Sequence, residues 1–140
     1  MPEYDQVAHL EMIQGVINRM GGNAFAVKTW SVGLVAALFA LAGTGGNPSP
    51  AFFWVAFGAV VIFTALDCAY LRQERLFRHL FDAVAGGDDL KAPYSMDTAP
   101  FKARPNVRWW SVIRSWSVWP LYGTLALAAL LVGLALAGCL

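Results

Sequence analysis

The chain has 140 residues, 58% of them hydrophobic and 14% charged, with a formal net charge of +1. A soluble domain carries roughly a quarter charged residues, so this single domain has too few to cover a water-facing surface, and its mean hydropathy is +0.53. These values exclude a disordered chain, a disulfide scaffold and a nucleic-acid binder built on a basic surface, and they point to a small multi-pass membrane protein.

In chain order, residues 1–22 read as an amphipathic helix. Val7, Leu10, Ile13, Ile17 and Met20 recur at helical spacing, with Glu11, Gln14 and Arg19 elsewhere. Gly21-Gly22-Asn23 predicts a loosening or break, with Asn23 able to cap the next helix. A helix needs about 20 mostly apolar residues to cross a hydrocarbon core of about 30 Å. Residues 24–42 meet that requirement with Lys28 as their single charge, and 51–71 meet it with Asp67 near the end. Residues 115–140, with the span itself at 116–138, carry no charged side chain, and Pro120 falls in the first turns where a helix tolerates it. Ala40-Leu41-Ala42 before Gly43 resembles a signal-peptide cleavage site. The long preceding segment with Glu3, Asp5 and Glu11 favours a retained anchor. The expectation is therefore an all-α membrane protein with three transmembrane helices, the first two forming a long antiparallel hairpin extended into the cytoplasm.

The connections carry the orientation signal. All ten Lys and Arg residues lie at or before the first span or between the second and third, whereas the turn at 43–50, GTGGNPSP, has none. The positive-inside rule then puts the N-terminus and residues 72–114 in the cytoplasm and the 43–50 turn and C-terminus outside. Residues 72–86 predict an amphipathic extension, with Phe77, Leu80, Phe81 and Val84 on one stripe and Arg72, Arg75 and Arg78 on another. Residues 87–106 are rich in Gly and Pro and read as an irregular connector, able to lie back on the hairpin or dock a partner. Residues 107–115 read as an interfacial segment. Arg104, Arg108 and Arg114 beside Trp109 and Trp110 are candidate lipid head-group ligands.

Taking the turn as a fold point between residues 46 and 47, antiparallel partners have numbers summing to about 93 for helices of equal rise. Arg19 then faces Glu74, and Lys28 falls within a turn of Asp67. Charges inside a span are functional suspects. Snorkelling at the inner interface, a pair holding the hairpin register, and a functional site all remain open for Lys28 and Asp67. Gly33 and Ala37 on the first span, and Ala129, Gly133 and Ala137 on the third, are candidate helix-packing positions, either within the chain or between copies.

Cys68 and Cys139 lie at opposite ends of their spans and cannot be joined within one chain. His9 and His79 read as ordinary helix-surface or stripe residues. Neither catalytic motif nor metal or cofactor site is expected.

The stretches His9–Met20, Lys28–Val32 and Tyr70–Arg78 resemble a family of small, uncharacterised bacterial multi-pass inner-membrane proteins. The resemblance covers residues 9–82. Families of this shape resemble the membrane effectors that accompany bacterial nucleotide-signalling and anti-phage systems. The expected function is non-enzymatic: an inner-membrane scaffold or sensor subunit presenting a cytoplasmic helical hairpin to a partner. The alternative is an oligomeric membrane-perturbing or pore-forming effector. The expected partners are the lipid bilayer, a second copy of the chain, and a cytoplasmic or membrane protein. No nucleic acid is expected.

Overall fold

The computed structural model describes residues 4–44, 49–88 and 92–138, and these are helical with no strand among them. The first helix, α1, runs over Gln6–Gly43, and α2 over Pro50–Gly86. Two single 3₁₀ turns follow at Ala99–Phe101 and Pro105–Val107. A short α3 over Trp109–Ile113 then leads to α4 over Trp119–Leu136. By length and composition, α1, α2 and α4 each contain a window able to cross a membrane.

Local chemistry sets the helix ends. The Asp5 carboxylate accepts hydrogen bonds from the amides of Val7 and Ala8, satisfying donors that the first turn leaves open. Ser49 does the same for Ala51, and Pro50 follows at a position where its missing N–H costs nothing. At the far end of α2, Gly87 sits in the left-handed region at φ +77°. Its amide donates to the Val84 carbonyl and that of Asp88 to Ala83, closing the last turn.

The expected break at Gly21-Gly22-Asn23 does not occur: α1 passes through it without interruption. Each glycine costs a helix about 1 kcal/mol relative to Ala, and packing against α2 offsets this. A β-carbon on Gly21 would stand 3.8 Å from a carboxylate oxygen of Glu74, an ordinary contact distance, so this glycine faces α2 without being required there.

On α1 the buried residues are His9, Ile13, Ile17, Ala24, Ser31, Val35 and Ala42. They recur in steps of four and seven, the seam of a pair of helices wound around each other. Near the closed turn, Phe39 meets Phe53 edge-on with ring centroids 4.9 Å apart. At the open end, Ile13 and Ile17 pack on Leu80 and Val84, joined by Leu10, Phe77 and Phe81. The two amphipathic stripes therefore cover each other. Val7, placed on the stripe by its spacing, is instead 64% exposed, because it lies at the helix start beyond its partners.

The third apolar helix packs along α2, which places α2 in the middle of the bundle. Ala129 and Gly133 are buried at this contact, and a β-carbon on Gly133 would lie 3.4 Å from that of Phe53. Ala137 is exposed. Gly33 and Ala37 are exposed too, so α4 does not use the small-residue face of α1. Cys139 lies outside the described residues.

Gly133→Val adds an isopropyl group whose first carbon would already lie 3.4 Å from the β-carbon of Phe53. Overpacking of this kind costs about 1–3 kcal/mol. The expected outcome is a lowered unfolding midpoint in a sodium dodecyl sulfate titration of the micellar protein. Gly33→Val, which meets nothing within 4 Å, is expected to change that midpoint far less.

Candidate functional site

The buried polar and charged residues among those described are His9, Ser31 and Asp67. They form two groups at different levels of the hairpin. The first lies inside the apolar part. Asp67 is completely buried on α2, and Lys28 reaches it from α1, its Nζ 2.7 Å from Oδ1 and 2.6 Å from Oδ2. The contact to Oδ1 is a directed hydrogen bond. Oδ2 has only the ionic contact. Ser31, one turn beyond Lys28, donates to the Lys28 carbonyl at 2.8 Å. From α4, the buried Tyr122 hydroxyl faces Ser31 and Asp67 without closing a hydrogen bond to either. Three helices thus converge on one carboxylate. A solvent-free carboxylate demands a cation in contact, and Lys28 can supply one while its stem runs along the helix surface.

The second group closes the open end. His9 is fully buried between α1 and the connector. Its Nε2 lies 3.0 Å from the Ser95 carbonyl and its Nδ1 3.0 Å from the Tyr4 hydroxyl. A carbonyl only accepts, so Nε2 carries the ring proton and Nδ1 accepts from Tyr4. Tyr94 packs edge-on against Tyr4 at 5.3 Å, and its hydroxyl accepts from the Asp5 amide. Tyr94 adopts φ +57°, a conformation that costs a non-glycine residue on the order of 1 kcal/mol. The two aromatic contacts and the Asp5 bond hold it there. Gln6 adds a bond from its side-chain amide to the Val84 carbonyl at 2.6 Å.

Between these groups the basic stripe of α2 grips the rest of the connector by its backbone. Arg72 Nε donates to the Val107 carbonyl, and Arg75 donates to the Asn106 carbonyl and the Ser115 hydroxyl. His79 bonds the Asn106 side chain at 2.9 Å and stacks on Phe101 at 6.2 Å. Met96 and Phe101 then cap the Ile13–Leu80 cluster. The connector therefore lies back on the hairpin.

Arg19 and Glu74, paired by the mirror arithmetic, do not meet. Glu74 Oε1 accepts from both Nε and Nη2 of Arg78, one turn along the same helix, while Arg19 lies on the exposed side of α1. Register put the two residues level, but helical phase turned Arg19 away. Arg104, Arg108 and Arg114 are exposed, as are Trp109 and Trp110. Arg108, Trp110 and Arg114 share one shallow groove with Pro105 and Ser111, whereas Trp109 stacks under the Arg72 guanidinium at 5.0 Å. No cluster of three or more metal-ligating side chains occurs among the described residues.

Comparison with protein-family models, with curated proteins and with solved structures finds no match. What the protein does has to be read from its own side chains.

Lys28→Ala strands the Asp67 carboxylate and is expected to cost about 3–5 kcal/mol in the same micellar titration. Lys28→Met combined with Asp67→Leu is expected to recover most of that loss. Tyr122→Phe removes a hydroxyl that has no hydrogen-bond partner and is expected to leave the midpoint unchanged or raise it. At the open end, His9→Ala removes two hydrogen bonds worth about 1 kcal/mol each. Amide exchange over residues 94–101 is expected to quicken about tenfold or more, with the apolar part of the hairpin unaffected.

Proposed function

We propose that this chain is a non-enzymatic scaffold or sensor subunit of a bacterial inner membrane. Its N-terminus is cytoplasmic, its C-terminus is outside, and its hairpin end is offered to a protein partner. The observation that carries this reading is the unbroken length of the two long helices. At 38 residues, α1 extends about 57 Å, against a hydrocarbon core of about 30 Å. Roughly 25 Å of paired helix is therefore left beyond the hydrocarbon, passing through the head-group layer into water, stiffened by its own apolar cluster and by the His9 clasp. A chain needing only an anchor gains nothing from such a rod, whereas a chain that displays a surface to a partner does.

The distribution of Lys and Arg supports a cytoplasmic open end. The surface on offer is the outer side of α1. Val7 and Met12 are exposed there beside Glu11 and Arg19, none of them covered by α2 or the connector. The apolar stripes themselves are already occupied by each other.

A second reading is supported by the uncovered small residues Gly33, Ala36, Ala37 and Ala40 on α1. Small faces of this kind let helices of separate copies approach closely. In that reading the protein is an oligomeric membrane-perturbing effector, in keeping with the family resemblance over residues 9–82.

A photo-crosslinking residue at Met12, compared with one at Ala37, separates the two in intact membranes. A scaffold gives a discrete adduct with another protein from Met12 and only lipid adducts from Ala37. An effector gives self-adducts from Ala37, with dye entry on induction. Self-adducts alone from both positions would overturn the scaffold reading.

A further inference from the structure

We infer that the cleft between α2, α3 and α4 seats one anionic phospholipid, with an acyl chain in the cleft and the phosphate at Arg72. The cleft has a volume of about 430 Å³, within the range of sites that enclose small ligands. Its walls are Val60 and Ala65 of α2, Ile113 of α3, Val118 just ahead of α4, and Ala126 of α4, with Trp109 and Trp119 at the sides. Two wall side chains carry hydroxyls: that of Thr64 is turned back onto the Val60 carbonyl at 2.7 Å, and that of Tyr122 is buried away from the cleft surface, facing Ser31 and Asp67. An apolar cavity without free polar partners does not hold water, and two of the helices that wall this one, α2 and α4, are apolar enough to cross a bilayer. Hydrocarbon is the available filling.

The rim supplies the head-group chemistry. Arg72 spends Nε on the Val107 carbonyl, and its guanidinium lies against Trp109, a wall of the cleft. Its terminal nitrogens make no hydrogen bond or ion pair among the described residues. The ion pairs there are Lys28–Asp67 and Arg78–Glu74, so Arg72, Arg108 and Arg114 have no acid beside them. An uncompensated guanidinium at the edge of an apolar slot matches a phosphate above a fatty chain, the planar fork taking two oxygens at once. A zwitterionic lipid offers the same phosphate, but brings its own cation up to that guanidinium.

The test uses the full chain, purified in detergent and exchanged with equimolar phosphatidylglycerol and phosphatidylcholine, with retained lipid counted by native mass spectrometry. One phosphatidylglycerol per chain is expected, favoured over phosphatidylcholine about tenfold, the size of one charge-assisted contact. Ala65→Phe, which fills the cleft from an exposed wall position, is expected to abolish retention of either lipid. Ala126→Phe fills it from α4 with the same result. Arg72→Gln is expected to erase the preference for phosphatidylglycerol, whereas Lys102→Gln, an equal loss of charge at an exposed residue that does not line the cleft, leaves it intact. Unchanged helical circular dichroism and elution volume confirm that each variant is folded. Equal retention of the two lipids by the unaltered chain, or undiminished retention by both filled variants, would overturn the proposal.

Discussion

A carboxylate shielded from all solvent has to be met by a cation, and that requirement fixes where α1 lies along α2. Asp67 is such a carboxylate and Lys28 is the cation that reaches it. The two sit on separate helices at nearly the same distance from the closed turn, so their contact sets the register of the whole hairpin. Sliding one helix by a single turn of about 5.4 Å would leave two charges unpaired in an apolar seam. The seam residues themselves are less selective, because Ala, Val and Ile tolerate several sliding positions. Apolar packing holds the helices together, and the ion pair decides which residues face which.

With that register set, α2 acts as the central post. Its one side meets α1 along the seam, another receives α4 at Ala129 and Gly133, and its basic stripe takes the connector by the backbone carbonyls of Asn106 and Val107. Such carbonyls need donors once they lie close to the protein, and arginines projecting from a helix supply several each. This explains a segment with almost no regular structure that nevertheless has a defined path. Pro93, Pro100 and Pro105 limit what helix it can form, and the side chains of α2 replace the missing internal hydrogen bonds.

Much of this is legible from residue spacing, and the part that is not has one physical source. The three apolar windows show as runs of the right length. The hairpin register shows because residues of two helices of equal rise leaving one turn can be counted against each other. That count brings Lys28 within a turn of Asp67, whose contact then fixes the register, and Ile13 level with Leu80. Rotation about each helix axis is not specified by that count. Arg19 is level with Glu74 yet points away, and Gly33 and Ala37 carry small side chains on a face that nothing covers. His9 shows the signal that could have been used. It stands four and eight residues before Ile13 and Ile17, in the buried column rather than beside it, and a polar residue in such a column needs partners. Those partners, Tyr4 and Ser95, come from outside the helix, one of them across 86 residues of chain. The convergence of Tyr122 on Asp67 is equally invisible, since it requires knowing which side of α2 receives α4.

The same geometry leaves one segment in touch with both the open end of the hairpin and the apolar cleft. The chain from Tyr94 to Ser115 is bonded to His9 and Asp5 at the open end of the hairpin, to Arg72 and Arg75 midway, and continues into α3, whose Trp109 and Ile113 wall the apolar cleft. Anything that moves α3 outward pulls on the Val107 carbonyl held by Arg72 and unseats Val112, which α3 itself buries in the core. The α1–α2 pair resists such movement, being locked by an ion pair and a continuous seam. The connector resists it with single hydrogen bonds and the capping contacts of Met96 and Phe101. Where stability is divided this unevenly, structural change runs through the weaker part. In this fold that part lies between the apolar cleft and the open end of the hairpin.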